Sequence, residues 1–288
     1  MNNIIKSIIY DKAARVTLID TTQALKEAVI THNLSPLAAA ITGRALTAGA
    51  YISANLKGKD SKFSMIINGG GPAGNVVVAG ESGNTIRGFV SNPFVQMPLK
   101  NNGKLDVGGA VGKKGQISVI KDYGMKEPYR GNCQLVSGEI GEDFAYYLLK
   151  SEGIKSAVSL GVKVNKDGII ASGGIIVEAL PNIEENQLFI IENIMNDLKN
   201  ISSIMEDKTI EDIFDYYFSH LNGKILSKEE LNYKCNCSLE RIKNIIMGLG
   251  KDEVYDILNE QGKLEIACQF CKKNYSYGKE EVDKLWEM

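Results

Sequence analysis

Four of the five cysteines crowd into the last fifth of the chain as two close pairs: Cys235 and Cys237 in "YKCNCSL", Cys268 and Cys271 in "ACQFCKK". Thiols so spaced bind a metal, close a disulfide or attack an electrophile. The opening "MNNIIKSIIYDKAARVTL" lacks the basic start, apolar run and small-residue cleavage site of a secretory signal, which points to the reducing cytoplasm. Clustered cysteines there are more often metal ligands or redox centres than structural disulfides. Thirty residues separate Cys237 from Cys268, enough for the pairs to meet. Four thiolates complete a closed tetrahedral site with metal–sulfur distances of about 2.3 Å, and zinc, one ion per chain, fits best. Residues 233–288 form a unit at a length where folding buries only about 60% of the unfolded surface, so the metal supplies missing folding energy. Two thiols one or two residues apart also close small rings. Oxidation would then remove the ligands, release the metal and unfold the unit. A purely structural zinc remains the rival at this point.

Other residues invite chemistry and lose it on inspection. "GGGPAG", Gly69 to Gly74, has the spacing of a dinucleotide loop, but Pro72 and the following "NVVVAGES" lead into a strand. A phosphate loop must open a helix. Cys133 has no neighbouring thiol and reads as a small buried residue. His32 and His220 stand away from any catalytic partner, and Glu139, Glu142 and Asp143 suit a helix N-terminus without a nucleophile nearby. No catalytic residue is assigned, and the chain is not read as an enzyme. A thiol–disulfide oxidoreductase would need an exposed low-pKa thiol, whereas these four look committed to metal.

A net charge of −2 gives no overall attraction to nucleic acid or anionic membranes. Around the cysteines, Lys234, Arg241, Lys243, Lys272 and Lys273 are interspersed with Glu240, Asp252, Glu253, Asp256 and Glu260, which is not a nucleic-acid stripe. "SPLAAAITGRALTAGAYISANLK" is apolar, but a mid-membrane Arg44 would cost roughly 2.5–3.5 kcal/mol. It reads as a buried helix capped by Ser35, with Pro36 at its first position.

All but five of the 29 glycines precede Leu180, and the last proline is Pro181. The fold class expected is α+β. Residues 1–180 form an N-terminal α/β domain of strands and early helices, with a hairpin turn at "NKDGI". Its second helix runs through "SGEIGEDFAYYLLKSE", capped by Ser137, with Phe144, Tyr147 and Leu148 on one face. Residues 181–232 form a helical linker subdomain. In it Leu188, Ile191, Met195, Leu198, Ile201 and Met205 make one apolar helix face. A further helix starts at Thr209, with Asp212 at the capping-box position and Gly223 as its stop. Residues 233–288 form the zinc-binding unit. The apolar stripe suits either an ordinary subdomain or a conditional cover for apolar surface.

"GGGPAGNVVVAGESGNTIRGFVSNP", "YGMKEPYRG", "SGEIGEDFAYYLLKSEGIKSAVSLGVKV" and the "CNC" and "CQFC" pairs together resemble the redox-regulated 33 kDa heat-shock chaperone family over nearly the whole chain. The resemblance implies an ATP-independent holdase, inactive when reduced and zinc-bound. Once oxidised, zinc-free and dimeric, it would bind unfolding client proteins. It also implies the disulfides Cys235 with Cys237 and Cys268 with Cys271, and a segment after Pro181 that loosens on activation. The competing reading is a constitutive zinc-ribbon module for nucleic acid or a protein partner, which the mixed charge around the cysteines disfavours.

Overall fold

A computed structural model describes residues 3–286. Two compact units divide the chain, Met1–Lys234 and Cys235–Met288. The first contains β1 (Ile4–Ile9), β2 (Ala14–Asp20), α1 (Thr22–His32), α2 (Pro36–Ala54), β3 (Lys62–Asn68), β4 (Val76–Glu81), β5 (Thr85–Val90), α3 (Val107–Val111), β6 (Gln116–Asp122) and β7 (Tyr129–Gln134). It continues through α4 (Ile140–Ser151), β8 (Ser156–Asn165), β9 (Gly168–Ala179), α5 (Glu185–Asp197), α6 (Ile201–Ile204), α7 (Ile210–Tyr217), β10 (Lys224–Glu229) and β11 (Asn232–Tyr233). One sheet runs β10-β1-β2-β9-β8 and a second runs β11-β5-β4-β3-β6-β7. Neighbours are antiparallel except for β11 and β5. The fold is α+β.

Helix α2 explains how the two sheets are held together. Its small residues are buried around almost the whole circumference, as a helix flanked on both sides requires. A Cβ at Gly43 would lie 2.6 Å from Val162 of β8, and one at Gly49 would lie 2.4 Å from Val78 of β4. The sheets therefore press on opposite sides of one helix. The expected cap is present: Ser35 Oγ accepts the Ala38 N–H at 3.2 Å, with Pro36 opening the helix. Arg44 pairs with Glu139. Among the described residues no helix is long and apolar enough to cross a membrane.

The first sheet is buried on both faces. Strand alternation sends Ile4, Ile19 and Ile176 toward the core around α2, and Ile5, Leu18, Ile175 and Val177 to the opposite side. That opposite side is covered by α5 to α7: Ile191, Met195, Leu198 and Ile201 share a core with Ile213, Phe214 and Phe218. Two glycines of the sheet admit α6. A Cβ at Gly161 would stand 2.9 Å from Ser202, and one at Gly173 would stand 2.5 Å from Met205. Polar ties complete the docking, with Ser159 Oγ donating to the Leu198 carbonyl at 2.7 Å and Lys104 Nζ to Asn200 Oδ1 at 2.6 Å.

Some local expectations shift. The stripe from Leu188 to Met205 is not one helix, because the chain tightens into a 3-10 turn at Leu198–Asn200. That turn bends the stripe onto the sheet and presents the Leu198 carbonyl to Ser159. Leu188 lies at the margin, 36% exposed, whereas Leu198 is fully buried. The capping box at Thr209 forms, with Asp212 N–H on Thr209 Oγ1 at 3.1 Å and Thr209 N–H on Asp212 Oδ2 at 2.9 Å. Helix α7 ends at Tyr217, well before Gly223, since the Leu221 carbonyl accepts the Tyr10 N–H at 2.8 Å and Asn222 turns left-handed. Ser137 does not cap α4; it accepts the Glu139 N–H at 3.1 Å, and the helix starts at Ile140. Phe144, Tyr147 and Leu148 are its buried face, as expected. The β8–β9 hairpin turns at "NKDGI", with Gly168 at φ +123.

The second unit contains α8 (Leu239–Leu249), α9 (Lys251–Gln261), β12 (Leu264–Ala267), β13 (Asn274–Tyr277) and α10 (Lys279–Asp283). Its small core includes Ile242, Ile246, Val254, Leu258, Leu264, Tyr275 and Tyr277.

Candidate metal centre

Two local structures aim the four sulfurs at one point. Cys235 and Cys237 lie on the extended segment that enters α8, whose cap Ser238 accepts the Arg241 N–H at 3.2 Å. Arg241 Nη1 reaches back to Asn236 Oδ1 at 2.9 Å, fixing the residue between the two thiols. Cys268 and Cys271 form the turn joining β12 to β13. Cys268 N–H donates to the Lys273 carbonyl at 2.9 Å and Lys272 N–H to the Cys268 carbonyl at 2.8 Å, with Lys272 left-handed at φ +59. The turn brings both side chains to one side of the hairpin end.

All four Sγ atoms lie within 4.8 Å of one another. Cys235 and Cys268 are 3.6 Å apart, and Cys237 and Cys271 are 3.4 Å apart. A tetrahedron with metal–sulfur bonds of about 2.3 Å has sulfur–sulfur edges of about 3.8 Å, so the donor set fits a zinc ion. All five cysteines are free thiols. The cluster is surrounded by donors: the Cys237 N–H points at Cys235 and the Lys273 N–H at Cys271. The Tyr275 hydroxyl donates to Cys237 Sγ at 3.2 Å.

The sulfurs differ in acidity. Burial pushes the Cys235 thiol up to about 12 and also raises Cys271. Burial acts upward on Cys237 too, yet Tyr275 and the other three thiols outweigh it and bring it down to about 7. A cluster that shares protons in this way releases them when a cation enters.

The remaining candidates lie elsewhere and are occupied with structure. Cys133 sits on β7 opposite Ile117, its thiol raised by burial. Cys133→Ser should leave metal content unchanged, as metal analysis of the purified variant would check. His32 is buried beside Phe89, with ring centroids 6.4 Å apart. Glu139 binds Arg44 and Lys100, and Asp143 Oδ1 accepts the N–H groups of Val136 and Ser137 at 2.7 and 3.0 Å. In "GGGPAG" the Gly71 and Ala73 amides are spent on the Val111 and Ala110 carbonyls, so they are not available to a phosphate. Tyr275 was not legible as part of the site; the alternation in "NYSY" marks an inward tyrosine but not the sulfur it meets.

Comparison with known proteins places the chain in a family. The family model described as "Hsp33 protein" matches residues 2–278. A 33 kDa chaperonin of Thermoanaerobacter sp. (strain X514) is 42% identical over 287 residues, covering 98% of this chain and 97% of that protein. The 33 kDa chaperonin of Caldanaerobacter subterraneus subsp. tengcongensis is 42% identical over 268 residues, covering 92% and 90%. The crystal structure of the 33 kDa chaperonin (heat shock protein 33 homolog) from Thermotoga maritima superposes with a TM-score of 0.90 at 35% identity, covering 100% of this chain and 98% of that one. The chain belongs to the Hsp33 family of 33 kDa chaperonins.

Proposed function

We propose that this chaperone is a redox-regulated, ATP-independent holdase of the cytoplasm. It is inactive when reduced with one zinc held by Cys235, Cys237, Cys268 and Cys271. It is active when those thiols have become the disulfides Cys235–Cys237 and Cys268–Cys271. The observation that carries the reading is the convergence of four free thiols within 4.8 Å in a unit with a small core. Bound there, zinc would supply cross-linking that holds α8 to the β12–β13 hairpin. Forming two disulfides from the four zinc-bound thiolates removes four electrons, taken up with four protons from solvent by two equivalents of a hydroperoxide-type oxidant, and leaves sulfurs that are poor ligands.

The metal-free unit then unfolds. The helices of the linker, residues 185–217, loosen with it and uncover the sheet face lined by Ile5, Leu18, Ile175 and Val177 for unfolding clients and for a second copy of the chain. Chain connectivity supports this coupling: β11 pairs with β5 through Asn232 and Tyr233, and Cys235 follows almost at once.

Light scattering of a heat-unfolding client tests the proposal. Reduced, zinc-loaded protein is expected to leave aggregation unchanged, and oxidised, chelator-treated protein to suppress it and to elute as a dimer. Equal activity in both states would favour a constitutive zinc module. Peptide mapping tests the pairing, because sulfur–sulfur contacts of 3.4 and 3.6 Å also run between the pairs. Disulfides found mainly between Cys235 and Cys268 or Cys237 and Cys271 would overturn the assignment.

A further inference from the structure

We infer that Tyr275 is a positioning residue for Cys237: its hydroxyl fixes that sulfur in the ligand set and slows its oxidation. The inference rests on the metal and redox reading above and adds to it a residue that is neither ligand nor redox centre.

Tyr275 is only 5% exposed, and its Oη lies 3.2 Å from Cys237 Sγ. It stands on β13, the strand that leaves the Cys268–Cys271 turn, paired with Ile266 of β12. A side chain belonging to the second cysteine pair thus holds a sulfur of the first. This is the place where one hydrogen bond ties the hairpin to the segment entering α8. Such partners of a metal ligand fix its orientation, and losing one typically costs 10–100-fold in metal affinity. The same bond draws electron density from the sulfur that would attack an oxidant.

With a hydroperoxide the step is as follows. The Cys237 thiolate forms an S–O bond as the O–O bond breaks, and hydroxide leaves to become water. The Cys235 thiolate then forms the S–S bond and displaces the sulfenic oxygen as hydroxide, which is also protonated to water. Two electrons pass from the sulfur pair to one peroxide. Hydrogen bonding by Tyr275 raises the barrier to the first of these events, and its release lowers it.

The same strand supplies a control. Tyr277 is two residues on and on the same face, 7% exposed, and its hydroxyl finds no hydrogen-bond partner among the described residues. Tyr275→Phe and Tyr277→Phe delete the same atom from the same strand. Only the first deletes a contact to sulfur.

Wild type, Tyr275→Phe and Tyr277→Phe, each reduced and zinc-loaded, are treated with hydrogen peroxide. Zinc release is followed with a chromogenic chelator, and alkylation of Cys237 by mass spectrometry. Zinc affinity is measured by chelator competition and fold by circular dichroism. Tyr275→Phe is expected to lose about tenfold in zinc affinity and to lose free Cys237 several-fold faster, at the lower end of the usual effect. Tyr277→Phe should behave as wild type. Wild-type affinity and oxidation rate in Tyr275→Phe, with wild-type protein releasing zinc normally, overturn the inference and leave the redox reading standing. Equal effects in both variants overturn it too, since loosening of the core would then be the cause. If wild type itself keeps its zinc under peroxide, the redox reading fails first.

Discussion

Leu198→Glu is expected to detach α5, α6 and α7 from the first sheet and to give anti-aggregation activity in reduced, zinc-loaded protein. Leu198 is fully buried in the core shared by the helices and the sheet, at the 3-10 turn where its carbonyl accepts the Ser159 hydroxyl. A carboxylate buried among those apolar side chains costs on the order of 3–5 kcal/mol. That exceeds what a locally docked segment can absorb, whereas the core around α2 involves different residues and should stand. Hydrogen exchange should rise across residues 185–217 and stay slow across 36–54. Leu188→Glu puts the same charge on the same stripe at a position 36% exposed and should do little. If Leu198→Glu frees the helices and the protein remains inert, the sheet face beneath them is not where clients bind.

The second large effect is expected from Cys268→Ala combined with Cys271→Ala. Two of four thiolates cannot hold zinc in a closed site, so metal analysis should find essentially none. Structural zinc contributes about 10–16 kcal/mol of apparent folding energy in small zinc peptides at neutral pH. The second unit has only a small core of its own and should lose its circular dichroism signal for α8 and α9. Because this variant loses the metal without an oxidant, it separates the two events that oxidation joins. Anti-aggregation activity without peroxide would assign the switch to metal loss; full zinc content would show that the ligands lie elsewhere.

The residue chemistry of the site was legible before the fold was. Cysteine type and spacing alone brought together Cys235, Cys237, Cys268 and Cys271, because few side chains share their chemistry and the intervening chain is long enough to close. Helix α2 was legible for a similar reason, its small apolar residues and cap leaving few alternatives. What the pattern could not reveal depends on contacts between distant segments. The break at Leu198–Asn200 answers Ser159 on another strand, and the early end of α7 answers Tyr10. Gly161 and Gly173 look like ordinary strand glycines until α6 is seen lying against them. Tyr275 carries no signal of its own, since half-buried strands use tyrosine widely.

The helices that cover the sheet are held by strands of that same sheet at both ends, β9 before them and β10 after them. A segment pinned in this way cannot diffuse away once it lets go. Closing it again costs little, since each doubling of a loop adds only about 0.6 kcal/mol. It therefore competes for its own site as a tethered ligand at an effective concentration in the millimolar range. If clients bind that face as proposed, each would have a rival on permanent call. Once the thiols were reduced and the cover regained its stability, the cover would displace the client by mass action, and the free energy of its refolding would take the place that nucleotide hydrolysis fills in other chaperone cycles.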